Sequence, residues 1–269
     1  MICFPNAKVN FGLYVSGKRA DGFHDIASIF IPVDLRDALE FIESKEDIFN
    51  STGNSLEIAG KENLCVKALE LIRSKYKVPA VHIHLHKNIP DKAGLGGGSA
   101  DASFMLRSLN EQFNLDIAQN ELLRLSSILG SDCPFFIDNR AALVTGRGEK
   151  IRSLEIDLSD YYIVIVKPSE SMSTVNAFAN ISIDQYVPDL QTIINSDANI
   201  WKDEVKNVFE ENVFQTFPIL QKIKNTLYQK GATYSSMTGS GTAIYALFKQ
   251  RPVLKDEFSN CFKWIGRCL

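Results

Sequence analysis

Residues 94–99, Gly94-Leu95-Gly96-Gly97-Gly98-Ser99, depart sharply in composition from the rest of the chain. Glycines at 94, 96, 97 and 98 strip a turn of side chains and permit positive φ, so a ligand can approach the main chain. Downstream, Ala102, Met105, Leu106, Leu109 and Phe113 recur at spacings of three and four, the signature of one helical face. The first N–H groups of a helix lack intrahelical partners and lie at the positive end of its dipole. A glycine turn opening such a helix is a site for phosphate, and Ser99 adds a hydroxyl that can donate a hydrogen bond or ligate a metal. Two familiar phosphate loops do not match. Gly98 is followed by Ser99 without the Walker lysine, and Ser99 stands where the third glycine of the dinucleotide fingerprint belongs.

A second chemical pattern lies just upstream. His82, His84 and His86 share one face of an alternating segment, and a His-x-His strand pair is a known way to hold zinc. That arrangement would suit a metallohydrolase. The polar face of a half-solvated strand accounts for the same residues more simply, since no cysteine cluster accompanies them and His24 is the only other histidine.

These residues need elements to hold them. Residues 81–87 read as a strand, followed by a short connection, the glycine turn and the helix. Further strands are expected at 8–15, 26–33, 38–42, 141–144, 151–156, 161–166, 234–237 and 243–248. Helices are expected at 63–76, 121–129, 174–179 and 217–228. Gly146-Arg147-Gly148 reads as a hairpin turn, and Gly239-Ser240-Gly241 as a second glycine turn between two strands. Strands and helices mix without βαβα alternation, so the expected class is α+β. A domain boundary falls near 155–161, giving domains 1–155 and 156–269.

Composition narrows the function. With 269 residues, 45% hydrophobic and 23% charged, the chain is an ordinary globular protein. Lys and Arg number 29 against 32 Asp and Glu, a net charge of −3, which argues against nucleic acid as a partner. No apolar run approaches the roughly 18 residues needed to span a bilayer, so no membrane partner is expected. The N-terminal segment has neither the basic region nor the apolar core of a signal peptide. Five scattered cysteines, never in a CxxC pair, read as reduced thiols of a cytoplasmic protein. The oligomeric state is not legible.

Pro90-Asp91-Lys92-Ala93-Gly94-Leu95-Gly96-Gly97-Gly98-Ser99-Ala100 resembles the second motif of the GHMP small-molecule kinases. Asn6-Ala7-Lys8-Val9-Asn10 resembles their N-terminal motif, and Met237-Thr238-Gly239-Ser240-Gly241 their third. Gly17-Lys18-Arg19-Ala20-Asp21-Gly22-Phe23-His24 and Gly130-Ser131-Asp132-Cys133-Pro134 resemble the substrate signature and catalytic loop of the branch whose acceptor is a cytidine diphosphate-linked methylerythritol. Five motifs in order, across residues 5–248, are far more specific than one glycine loop.

The resemblance implies a ribosomal-protein-like N-terminal domain and a ferredoxin-like C-terminal domain, ATP as phosphoryl donor, Mg²⁺, and phosphorylation of a 2-hydroxyl. It also implies roles for residues. Asp132 would accept the proton of the attacking hydroxyl, as phosphoryl transfer asks for positioning and a nearby carboxylate. Lys8 would keep Asp132 ionised and offset charge on the transferred group. Asn10, two residues along the strand, faces the same side and would hydrogen-bond the acceptor. ATP would be bound by Pro90, Asp91, Lys92, Ala93, Gly94, Leu95, Gly96, Gly97, Gly98, Ser99 and Ala100, with Asn63 and Lys87 near the adenine. Phe23 and His24 would read the cytosine by stacking and hydrogen bonding, with Phe178 as a second aromatic. Gly239, Ser240 and Gly241 would bring a second backbone segment close to the substrate side. Asn6 in place of the usual proline, Phe23 for tyrosine, the pair Asp91 and Lys92, and Ala100 for a second serine depart from the family pattern. None removes a group the chemistry requires. Two other readings stay open: a nucleotide-binding module without catalysis, and a GHMP kinase acting on a different alcohol.

Overall fold

In the computed structural model, residues 1–54, 62–179, 181, 183 and 186–269 are described. The first strands are β1 (Ile2–Cys3), β2 (Asn6–Lys18), β3 (His24–Arg36), β4 (Ala38–Glu43), β5 (Ile48–Gly53) and β6 (Val81–Lys87). Helices α1 (Leu64–Arg73), α2 (Gly97–Gln112), α3 (Gln119–Leu129) and α4 (Cys133–Asp138) accompany them. Strands β7 (Ala142–Gly146), β8 (Lys150–Ser153) and β9 (Tyr162–Lys167) follow. Then come α5 (Thr174–Ala179), α6 (Leu190–Ile194), α7 (Trp201–Glu204), α8 (Glu210–Thr216), α9 (Pro218–Gln229), β10 (Tyr234–Met237), β11 (Ile244–Phe248) and β12 (Phe262–Gly266).

The chain divides into two units that interleave in sequence. The first comprises Met1–Ala7, Leu35–Asp91 and Gly96–Asn139; the second comprises Lys8–Asp34, Lys92–Leu95 and Arg140–Leu269.

In the first unit a sheet runs in the order β1-β4-β6-β5, with β5 parallel to β6 and the other pairs antiparallel. Val81, Ile83 and Leu85 of β6 are buried, while the histidines between them lie on the wetter face. That is the period-2 pattern of a strand with one covered face. The cover is α1, through Cys65, Ala68, Leu69 and Ile72, and α2, through Met105, Leu106 and Leu109. Asn63 caps α1, its side chain accepting from Cys65 N at 2.9 Å.

The second unit holds two sheets, β2-β3-β7-β8 and β10-β11-β9-β12, the latter antiparallel throughout. Every residue of β11 is buried, as in a strand covered on both faces. Leu220, Ile223 and Leu227 of α9 pack with Val164, Val166, Ile244, Ala246 and Phe248.

Mixed strands and helices in two units give the α+β class expected from the sequence. The elements differ from expectation in extent and in number. Strand β8 stops at Ser153 instead of 156 because its partner β7 begins at Ala142. Strands β1, β5 and β12 and helices α4, α6, α7 and α8 were not anticipated. No helix among the described residues is long and apolar enough to cross a membrane. All five cysteines are free.

Candidate active site

The first unit carries the glycine turn from Gly96 onward and the turn bearing Asp132. Gly96 occupies the N-cap of α2 at φ 71°, left-handed space that a residue with a Cβ enters at a cost. It has no side chain to cap the helix, so the first amides are left to a ligand or solvent. A Cβ on Gly97 would lie 2.9 Å from Ile89 Cγ2 and 3.3 Å from Lys87 Nζ, so the helix begins flush against the chain leaving β6. Gly98 is exposed and Ser99 half-buried.

The Asp132 turn is fastened to the same helix. Ser103 Oγ donates to the carbonyl of Cys133 at 2.7 Å, and Cys133 N donates to Gly130 O at 3.2 Å. A Cβ on Gly130 would stand 3.3 Å from Cys133 Sγ and 3.8 Å from Ser99 Oγ. Burial pushes the Cys133 thiol up to about 11, despite a hydrogen bond with Ser99. Asp132 therefore sits, half-buried, at the N-cap of α4 in a turn held against the first two turns of α2. Ser99 and Asp132 were anticipated; the connection through Ser103 and Cys133 was not.

Beneath the glycine turn lies a buried ionic triad. Lys87, 4% exposed, donates to Asp37 Oδ2 and, at 2.6 Å, to Asp101 Oδ2. Asp37 Oδ1 also accepts from Asn88 N at 2.7 Å and Ile89 N at 2.8 Å. Burial opposes the charge on Lys87, yet the fields of Asp101 and Asp37 outweigh it and hold the ammonium above its ordinary value. Burial pushes the carboxyl of Asp101 up to about 7, with Lys87 pulling it down and Asp37 adding to the rise. On the sequence, Lys87 and Asn63 were expected near the adenine. In the structure Lys87 takes part in this triad and Asn63 caps α1.

The second unit holds Lys8, Asn10 and residues 92–95. Lys8 is 2% exposed, its Nζ donating to Asn10 Oδ1 at 2.6 Å and lying 4.5 Å above the ring of Phe30. Its backbone N–H donates to Leu95 O at 2.9 Å, and Ala243 N donates to Ala93 O at 3.1 Å. Lys92 has φ 50° and is exposed. Asn10 Oδ1 also accepts from Gly239 N at 2.9 Å, while its Nδ2 donates to Ser28 Oγ at 2.9 Å. The carboxamide of Asn10, expected to meet the acceptor, bonds to Lys8, Gly239 and Ser28.

Gly94 and Gly239 let two backbone segments approach closely. A Cβ on Gly94, φ 75°, would fall 2.0 Å from the carbonyl oxygen of Thr238, and one on Gly239 3.0 Å from Gly94 Cα. Asn207 Nδ2 holds this hairpin by donating to Met237 O and Gly239 O, each at 2.8 Å. Ser240 is half-buried, 3.5 Å from Thr174 Oγ1, and Gly241 is buried.

The aromatic residues form two groups. Phe23 is 51% exposed, with the guanidinium of Arg147 4.7 Å from its ring centroid. His24 stacks directly on Phe178 at 4.9 Å and 25°, and Phe178 meets Phe209 edge-on. The stacked face of Phe178 is thus taken by His24. The histidine row of β6 is engaged by its neighbour β5: His82 Nε2 pairs with Asn50 Nδ2 at 2.8 Å, and His84 and His86 both contact Thr52 Oγ1. Among the described residues no group of three His, Cys, Asp or Glu side chains is disposed to hold a metal.

Sequence reasoning passed over Asp101, Asp37, Ser103, Asn207 and Arg147. Asp101 carried a readable signal: it falls between Ala100 and Ala102 on the buried side of α2, where a carboxylate needs a partner.

Family comparisons agree with this geometry. Residues 63–143 match the GHMP kinases N-terminal domain and residues 187–262 the GHMP kinases C-terminal domain. The chain is similar to the 4-diphosphocytidyl-2-C-methyl-D-erythritol kinase of Parabacteroides distasonis, at 43% identity over 99% of each chain. It is similar to that of Bacteroides fragilis at 42% identity over 97% of each. Among solved structures it resembles a 4-(cytidine 5'-diphospho)-2C-methyl-D-erythritol kinase, with a TM-score of 0.83, 27% identity and 100% and 99% of the two chains covered. The mevalonate kinase of Methanococcus jannaschii shares the fold at a TM-score of 0.70 and 14% identity, covering 100% of this chain and 98% of that one. The chain belongs to the GHMP kinase family, on the branch of the 4-diphosphocytidyl-2-C-methyl-D-erythritol kinases.

Proposed function

We propose that this protein transfers the γ-phosphoryl group of ATP to the 2-hydroxyl of 4-diphosphocytidyl-2-C-methyl-D-erythritol, in the non-mevalonate route to isoprenoid precursors. The observation that carries the chemistry is the fastening of the Asp132 turn to the glycine-started helix α2 through Ser103 and Cys133. An anion-binding turn and a carboxylate on one rigid support are what phosphoryl transfer to an alcohol requires.

In this reading the amides of Gly96, Gly97, Gly98 and Ser99 bind phosphate oxygens, with residues 90–95 and Ala100 shaping the turn. Asp132 orients the 2-hydroxyl and accepts its proton as the phosphoryl group moves across. Lys8, fixed by Asn10, supplies positive charge to the reacting oxygens. Phe23 offers the stacking face for cytosine, braced by Arg147 on its ring. His24 offers ring nitrogens to the pyrimidine edge.

Mg²⁺ fits as a partner of the nucleotide. It takes one or two protein oxygens together with phosphates and waters, so it needs no preformed cage of side chains. Ser99 Oγ is the protein oxygen suited to it, and when bound the ion offsets phosphate charge. We also propose a cytoplasmic location, consistent with five free thiols. We propose as well a division into domains 1–155 and 156–269, with one family match on either side of it.

The test is ADP release from ATP and Mg²⁺ with the cytidine substrate, set against mevalonate and homoserine as acceptors. Turnover with the cytidine substrate alone, and a new phosphomonoester at the 2-position by phosphorus NMR, is expected. Turnover only with another alcohol would move the acceptor assignment. Binding of ATP without turnover on any acceptor would leave a nucleotide-binding module.

A further inference from the structure

Asp101 is a buried group for which the chemistry above has no use. It is 2% exposed, and its Oδ1 finds no hydrogen-bond partner among the described residues. An ionised carboxylate seldom leaves an oxygen bare in a dry interior, because the lost hydration is not replaced. A protonated carboxyl resolves the arrangement. Asp37 is held as an acceptor by Lys87 Nζ and two backbone N–H groups, and the Asp101 carboxyl can donate its proton to that carboxylate. The triad is then neutral; with Asp101 ionised it carries a net charge of −1.

The location makes that charge matter. Asp101 is the fifth residue of α2, which opens at Gly97, so its Cα stands about 6 Å along the axis from the amides of the glycine turn. Lys87 of the triad also lies under Gly97, within 3.3 Å of where a Cβ would be. Phosphates at the turn and an ionised Asp101 would repel each other through a medium that screens poorly. The other titratable groups near Asp101 are Cys65 on α1 and Cys3 on β1, both pushed up by burial and so neutral, and Arg107 further along α2, which acts on Cys3.

We propose that the Asp37–Lys87–Asp101 triad positions the phosphate-binding turn at the start of α2, and that nucleotide binding there draws a proton from solvent onto Asp101. Asp101 is a positioning residue: it acts through Lys87 and the helix start and touches no substrate. The inference rests on the phosphate-loop reading above and adds its proton linkage. Raising the carboxyl's affinity for a proton on nucleotide binding means, reciprocally, that nucleotide binds more tightly as pH falls.

Calorimetric titration of the full-length protein with ADP and Mg²⁺ at pH 8, in two buffers of unlike ionisation enthalpy, counts the protons taken up. Wild type should take up a substantial fraction of one proton per ADP more than Asp101→Asn, the nucleotide's own titration cancelling in the difference. Between pH 6 and 8 the ratio of the two Kd values should move against wild type, at most about tenfold per pH unit. Equal uptake in the two proteins overturns the inference and leaves the phosphate loop intact. Failure of wild type to bind ADP overturns both. Should Asp101→Asn not fold, infrared difference spectra of wild type labelled with ¹³C-aspartate give the same answer. A protonated-carboxyl band that grows on adding ADP is expected, and its absence overturns the proposal.

Discussion

Lys8 Nζ donates to Asn10 Oδ1 across 2.6 Å, and that same oxygen accepts the backbone N–H of Gly239 at 2.9 Å. One carboxamide thus aims a buried ammonium and anchors the β10–β11 hairpin. Its opposite end donates to Ser28 Oγ, so the side chain is held from both sides.

Asn10→Ala would leave the Lys8 ammonium and the Gly239 N–H buried without that acceptor. At about 1–3 kcal/mol for each group that loses this hydrogen bond, a loss of about 2–6 kcal/mol is expected. Urea unfolding monitored by fluorescence checks it. A loss below 1 kcal/mol, in the range of a surface change, would mean that the carboxamide is not the anchor.

Gly94→Ala should be damaging for reasons of space. At φ 75° the added Cβ would fall 2.0 Å from the main-chain oxygen of Thr238, an atom that cannot rotate away. We expect a clear fall in Tm together with lost activity, while Gly98→Ala, whose nearest neighbour would be Leu64 Cδ1 at 3.7 Å, should fold normally. Equal Tm values for the two variants would contradict the close approach.

Asp101 sets a pH dependence of stability. Its folded carboxyl is raised from 3.8 to about 7, so the native state holds this proton more tightly than the unfolded chain. The protonated form is favoured at low pH, and stability is lost as pH rises from about 4 through 7. Asp101→Asn cannot lose that proton. The stability of wild type relative to the variant should therefore decline over this window, at most about 1.4 kcal/mol per pH unit. Denaturant midpoints at pH 5 and pH 8 read the change; a constant difference would mean that Asp101 is ionised throughout.

Phe23→Ala should act on substrate capture. Loss of base stacking costs about 1–3 kcal/mol, which raises KM for the cytidine substrate by roughly 5- to 100-fold with kcat little changed. Steady-state kinetics decide it. An unchanged KM would move the base to other residues.

The elements legible in the sequence were those whose periodicity survives in isolation. Val81, Ile83 and Leu85 alternate with histidines, and Met105, Leu106 and Leu109 mark a helical stripe, so β6 and α2 declare themselves. Strand β5 does not, because Asn50, Ser51, Thr52 and Gly53 carry no apolar alternation; it is an edge strand set by its parallel register with β6. Helix α4 is too short for a period to show, and its apolar run after Cys133 suits a strand equally well. The triad was illegible for another reason: Asp37, between β3 and β4, meets Lys87 of β6 and Asp101 of α2 only once these elements have packed. Likewise, the stacking of His24 on Phe178 joins residues far apart in the chain, and no local pattern announces it.

In the function proposed above, Asp132 acts on the hydroxyl that receives the phosphoryl group. Single-turnover transfer from ATP to 4-diphosphocytidyl-2-C-methyl-D-erythritol, in wild type and Asp132→Asn with substrate affinity measured alongside, tests it most directly. We predict unchanged affinity and a transfer rate lowered by about 10²–10⁴-fold, the usual contribution of a positioned general base. A variant that binds substrate and transfers the phosphoryl group within a few-fold of the wild-type rate would contradict the assignment.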